Sequence, residues 1–172
     1  MTTGIETEAR GLRRRRPRAG FTPKLDDEIV SVAVREPILR DEKREGDIVV
    51  ARDGLTITHA RCVAGERVAH PHIHDEHTDA FYVLESELTF EIGREAETVV
   101  VGAGGFVAVP PGVAHSFGTS GDRPARWLTI HAPDGGFAEF MRGVRDGVSV
   151  EWDISPVPTD DGLPASRAIV SS

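Results

Sequence analysis

Branched and aromatic residues occur along this chain in short runs. Glycines, prolines and small polar clusters cut the runs at close intervals, a rhythm of many short strands rather than long helices. Residues 29–34 read as a first strand and residues 48–50 as a second, closed by the turn Asp53-Gly54. Residues 55–63 read as a third, with Leu55, Ile57 and Val63 on one face. After Gly65, residues 67–74 form the next strand, and the polar tetrad Asp75-Glu76-His77-Thr78 is a predicted hairpin turn. Residues 79–92 are a long β-rich run, bent near Ser86. Short strands follow at 98–101, 106–109 and 115–117, and residues 125–132 form a last core strand. One helix is predicted over residues 136–144, where Phe137, Phe140, Met141 and Val144 fall at helical spacing. Asp134 is placed to cap its start, and Gly147 ends it. That apolar stripe is expected to pack on the strands as core, and residues 148–154 to add an edge strand. The pattern is therefore all-β with one short C-terminal helix.

Composition changes this picture little. The 172 residues suit one domain, with 39% hydrophobic and 28% charged residues, as in ordinary globular proteins. The expected division is a disordered basic tail over 1–20, a β-barrel domain over 21–154 and an extended tail over 155–172. The net charge of −8 is uneven: residues 1–18 carry six arginines against Glu6 and Glu8, so the remainder holds −12. An acidic body argues against nucleic acid as a partner. No apolar run has the length of a membrane span or of a secretory signal, and the single Cys62 excludes an internal disulfide framework. A cytoplasmic protein without membrane partners is the expectation.

Candidate chemistry concentrates in residues 69–86, AHPHIHDEHTDAFYVLES, which hold four of the seven histidines. On a strand, His72 and His74 share a face, presenting two imidazoles to one side. If the turn is centred between Glu76 and His77, His74 lies opposite Asp79 and His72 opposite Phe81, with Cβ atoms roughly 4.5–5.5 Å apart. Asp79 is then the preferred carboxylate ligand. His70 and Glu76 are the alternative ligands, because His70-x-His72 followed by Glu76 also has ligand spacing, although Glu76 sits at a turn tip. His77, in the turn, and His70 are expected to be exposed. Phe81, Val83 and Phe117 alternate in register with the candidate ligands and should face inward, as core or as an apolar pocket wall. Trp127 and His131 share a face of the last strand and are further pocket candidates. Glu85 and His131 are remote candidates for proton transfer. No nucleophile elbow, phosphate loop or Cys-x-x-Cys motif is present, so no catalytic residue is assigned beyond a metal centre.

This stretch resembles the first conserved motif of the cupin superfamily, in which two histidines and a glutamate bind a metal. Residues 104–115, GGFVAVPPGVAH, resemble the second cupin motif, with Gly104, Pro110, Gly112 and His115 in register. The resemblance implies that His72, His74, Asp79 and His115 are the metal ligands. It implies a double-stranded β-helix, or jelly-roll, barrel, often dimeric. This sequence departs from the family in four ways: Asp79 replaces glutamate, Ser86 replaces a glycine, Thr119 stands where asparagine is common, and Gly65 lies one residue further from the His-x-His pair than the commonest spacing. Many relatives are non-haem metal enzymes, especially dioxygenases, and others only bind ligands. The expectation is a mononuclear non-haem metal enzyme, dioxygenase-like, acting on a small organic molecule. A non-enzymatic ligand-binding or sensor protein is the alternative. Three imidazoles with a carboxylate favour Fe(II) or Mn(II). Nickel, copper or zinc follow if Asp79 does not bind. A small-molecule ligand and a homodimer are the expected partners.

Overall fold

The computed structural model describes residues 35–52 and 54–158. The expected basic tail, the strand at 29–34, Asp53 and the chain beyond 158 lie outside these residues. In chain order the elements are β1 (Glu36–Arg40), β2 (Arg44–Arg52), β3 (Leu55–Cys62), β4 (Arg67–Ile73), β5 (Thr78–Glu85) and β6 (Glu87–Ile92). They continue with β7 (Glu97–Gly102), β8 (Phe106–Val109), β9 (His115–Thr119), β10 (Ala125–Ala132), α1 (Phe137–Asp146) and β11 (Ser155–Pro156). All pairings are antiparallel, in two sheets ordered β1-β2-β3-β10-β5-β8 and β11-β4-β9-β6-β7. The described residues form a jelly-roll of two facing sheets with one short helix.

Period-two burial sets the core. Along β10, Ala125, Trp127, Thr129 and His131 are buried while their neighbours are not. From the larger sheet, Cys62, Phe81, Val83 and Trp127 point inward, and Leu88, Phe90 and Phe117 meet them from the smaller one. Phe81 makes ring contacts with Phe90 at 5.0 Å and Phe117 at 4.7 Å, a contact distance for aromatic pairs. This apolar plug fills one part of the barrel and leaves the part nearer β1 and α1 for other chemistry. Tyr82, Leu84 and Phe106 lie exposed on the outer side.

The predicted hairpin between β4 and β5 does not form. β4 pairs with β9 and β11, whereas β5 pairs with β10 and β8 in the other sheet. The polar tetrad crosses between sheets instead of reversing the chain within one. His72 therefore lies opposite His115, and Asp79 opposite His131 and Val109. Within β4 the register slips between Ala69 and His72, around Pro71, which has no N–H to give the ladder.

Ser86 marks the next crossing, from β5 to β6, with a left-handed φ of 61°. A side chain is strained in that region, and glycine is not. Ser86 Oγ donates to the Arg123 carbonyl at 3.3 Å, which offsets little of the strain. Ser86→Gly is expected to stabilise the fold by about 0.5–1 kcal/mol in denaturant unfolding, and a loss of stability would contradict this.

The helix runs over 137–146, but Asp134 does not cap it with its side chain. Gly136 occupies the N-cap in a left-handed conformation, and the Asp134 carboxylate accepts the Thr56 hydroxyl instead. Gly147 closes the C-terminus as expected, its N–H bonding back to the last turn. Ala138 and Met141 pack on Ile38 and Ile48, and Arg142 and Arg145 both pair with Glu36. The helix is thereby fixed over β1 and β2. Residues 148–154 form no strand; the edge pairing comes later, where Ser155 and Pro156 add to β4.

Candidate metal centre

Four side chains from separate parts of the chain converge inside the barrel. His72 comes from β4, His74 from just beyond it, Asp79 from β5 and His115 from β9. None is more than 4% exposed. One ligand atom from each lies within 4.8 Å of those of the others. The Nε2 atoms of His72 and His74 are 3.1 Å apart, and Asp79 Oδ2 lies 3.4 Å from His115 Nε2 and 3.7 Å from His74 Nε2. A nitrogen-to-metal bond of about 2.0–2.1 Å places neighbouring ligand atoms roughly 3.0–3.4 Å apart. The spacings of 3.1 and 3.4 Å fall in that range, and 3.7 Å lies a little above it. The shorter aspartate reaches because it faces the histidines across the lumen, not along a hairpin.

The orientation of each ring points to a cation. His72 Nδ1 lies 2.6 Å from the His70 carbonyl, His74 Nδ1 2.5 Å from the Asp153 carbonyl, and His115 Nδ1 3.1 Å from the Val113 carbonyl. A carbonyl only accepts, so each Nδ1 carries the proton and each Nε2 presents a lone pair to the centre. Lone pairs 3.1 Å apart beside a carboxylate repel unless a positive ion lies between them. Asp79 Oδ1 has no hydrogen-bond donor either. Held Nδ1–H tautomers are how proteins orient imidazoles toward a metal.

Titration agrees with this arrangement. Burial pushes His72 down to about 3, with the neighbouring His115 adding to the effect. Burial likewise takes His131 to about 4, against the pull of Asp79. For Asp79, burial alone favours the neutral acid; only an N–H or a positive charge turned toward it from His131, His115 or His74 holds its pKa below the usual carboxylate range. Both histidines are thus neutral when folded, whereas the unfolded chain protonates them below about 6.5. Lowered folded pKa values mean stability that is present above that pH and lost as pH falls toward the folded values. Each unit of difference is worth about 1.4 kcal/mol. The metal-free protein is expected to lose urea resistance between about pH 6.5 and 4, before carboxylate protonation dominates. A flat urea midpoint over that interval would contradict the neutral assignment.

The other candidate residues separate clearly. Glu76 is exposed, and only its backbone N–H serves the site, donating to Asp153. His70 is half-buried and contributes its carbonyl to His72. Glu85 lies on the surface, paired with Arg126. His77 was expected to be exposed but is completely buried, because the crossing between sheets turns its ring inward. Its Nδ1 donates to Asp153 Oδ2 at 2.7 Å. Asp153 also accepts the backbone N–H groups of Asp75, Glu76 and His77. Neither Asp153 nor the adjacent Trp152 carries any local sequence signal for this role, since Asp75 and His74, which they meet at the site, lie nearly 80 positions away.

Beside the centre is a cavity of about 150 Å³. His72, Asp79 and His131 form its polar end, and Phe117, Trp127 and Phe137 are among its walls. Arg44, Glu45 and Arg61 also line it and are partly exposed. Phe81 and Val83 do not reach the cavity and belong to the apolar plug. Phe137 and Met141, which the sequence suggested as plain core, contribute to its lining.

Residues 59–131 match the family described as the cupin domain, a span that includes both histidine motifs. That stretch of the chain carries a cupin domain, and the two-sheet jelly-roll agrees with it. Solved cupin-like structures share the fold at low identity. A conserved double-stranded β-helix protein from Klebsiella pneumoniae is 20% identical, with a TM-score of 0.53 over 66% of this chain and 90% of that one. KdgF from a Halomonas species is 16% identical, with a TM-score of 0.53 over 60% and 93%. A predicted oxalate decarboxylase from Thermotoga maritima is 16% identical, with a TM-score of 0.53 over 61% and 98%. No curated protein matches the sequence. Among the described residues no helix is long and apolar enough to cross a membrane. The cupin centre of this chain is a buried group of His72, His74, Asp79 and His115 that can hold a metal ion.

Proposed function

We propose that this cupin is a mononuclear non-haem metal enzyme of dioxygenase-like type, acting on a small, largely apolar molecule with an oxygen donor. The observation that carries this reading is that His72 and Asp79 belong both to the ion-binding group and to the cavity lining. An ion held there has a face toward the cavity. Three imidazoles and a carboxylate favour Fe(II) or Mn(II), and nickel, copper or zinc suit the imidazoles alone. When bound, such an ion supplies Lewis acidity or oxygen activation.

The remaining roles belong to the chain. A mostly apolar cavity of about 150 Å³ takes a ligand near the size of a single ring. Phe117, Trp127 and Phe137 exclude water and orient it by contact. Trp127 Nε1 donates to Thr129 Oγ1 at 3.0 Å, which fixes the indole as a wall. The outer end carries charges of both signs, with Arg44 paired to Asp41 and Arg61 to Glu45.

Oxygen uptake by iron-loaded protein, measured with phenolic and enol substrates, tests this reading. Turnover that disappears in His72→Ala supports it. Iron-loaded protein that turns over none of these substrates, yet binds an apolar ligand tightly, selects the non-enzymatic reading. That second reading is favoured by the mostly apolar surface of the cavity.

A further inference from the structure

His77 and His131 form, with His74, a second buried group next to the first. One ligand atom from each lies within 4.8 Å of those of the other two. His77 is wholly buried, and its Nε2 has no hydrogen-bond partner. Its Nδ1–H donates a hydrogen bond to the Asp153 carboxylate, so the idle Nε2 is a lone pair. A carboxylate behind an imidazole, with the far nitrogen open, is the arrangement that raises ligand basicity and fixes ring direction at metal sites. His131 is 1% exposed and also has an unpartnered nitrogen, Nδ1, while its Nε2 lies 3.4 Å from Asp79 Oδ1. Gly135 makes room for this geometry. A Cβ there would come within 2.6 Å of His77 Nδ1.

A buried unpaired nitrogen costs about 1–3 kcal/mol, and two in one buried cluster of imidazoles call for a partner. Hydrophobic packing does not supply one: Phe137 covers His131 at 3.8 Å and Trp152 lies 5.9 Å from His77. Those faces exclude water from the group instead.

We propose that His74, His77 and His131 form a second ion position, selective for borderline ions such as zinc, copper or cobalt. Three nitrogens without a committed carboxylate set that preference, in contrast to the harder set that includes Asp79. His74 belongs to both groups, and its Nδ1 is committed to the Asp153 carbonyl. Only its Nε2 can bind, so the two positions exclude one another and the chain holds a single ion. The ion's identity then decides which position is filled. A zinc ion seated with His77 and His131 leaves His72 and His115 empty, and zinc becomes an inhibitor of the iron-dependent activity. This inhibition rests on the function proposed above; the ion position does not.

The test is zinc and cobalt titration of the full-length protein and of His72→Ala/His115→Ala, which removes two donors from the first group and none from the second. The double variant is expected to retain one zinc per chain. Adding His77→Gln should then lower zinc affinity by about 100-fold. The cobalt d–d spectrum should change between wild type loaded with a carboxylate-bound ion and the double variant. Equal, weak zinc binding by the double and triple variants would overturn the second position. Should the double variant fail to fold, His115→Gln is used in its place, judged against His115→Gln/His77→Gln by the same criterion. Wild-type protein that binds iron while the double variant binds nothing removes only this inference. Wild-type protein that binds no ion removes the proposed function as well.

Discussion

Replacing His74 by alanine is expected to leave the protein unable to hold an ion. The affinity loss should exceed the roughly 10–100-fold that follows removal of an outer partner of a ligand. His74 is the one histidine that belongs to both buried groups, and its Nδ1 is already oriented by a carbonyl. The fold should persist, because the apolar plug around Phe81, Phe90 and Phe117 is separate from it. His70→Ala is the matched control. It changes a half-buried ring that belongs to neither group and keeps the carbonyl that orients His72. Metal analysis and calorimetric titration should therefore show an ion lost in the first variant and retained in the second. Similar affinities in both would place the ion elsewhere.

Asp153→Ala carries the second large effect, although Asp153 is not a ligand. Its carboxylate gathers the N–H groups of Asp75, Glu76 and His77 and the Nδ1–H of His77. Its carbonyl aims His74, and Ser155, two residues on, pairs with Ile73 beside the ligand strand. The segment after α1 is thus a clasp on the crossing between sheets. Removing the carboxylate leaves the fully buried His77 ring without an acceptor. The expected cost is about 2–3 kcal/mol of stability, with metal affinity reduced about 10–100-fold. Asp153→Asn, which keeps an accepting oxygen, should recover part of both. Urea unfolding and metal titration of the two variants check this, and an unaltered affinity in Asp153→Ala would show that the clasp does not orient the ligands.

The two predictions differ in how far the sequence announced them. The meeting of His72, His74, Asp79 and His115 is legible because strand alternation and motif spacing are local properties, whereas β1 and the absence of a strand over 148–154 are not. The hairpin between β4 and β5 was misread for the same reason. Two strands joined by four polar residues usually pair, and nothing local says that this tetrad crosses between sheets. The order that inserts β10 between β3 and β5 is set by contacts distant in sequence. Asp153 meets its loop from 76 to 78 positions away. His77 looked like a turn residue because its burial depends on Asp153 and on the close approach of Gly135. Asp134 looked like a helix cap, but Thr56, on a distant strand, supplied the stronger claim on its carboxylate.

The measurement closest to the central claim is X-ray absorption spectroscopy on protein loaded with iron and freed of excess ion. The account predicts about one iron per chain, with imidazole scattering and a carboxylate oxygen in the coordination sphere. Protein that retains no iron, manganese or zinc after loading, or an ion whose spectrum lacks imidazole, would contradict it.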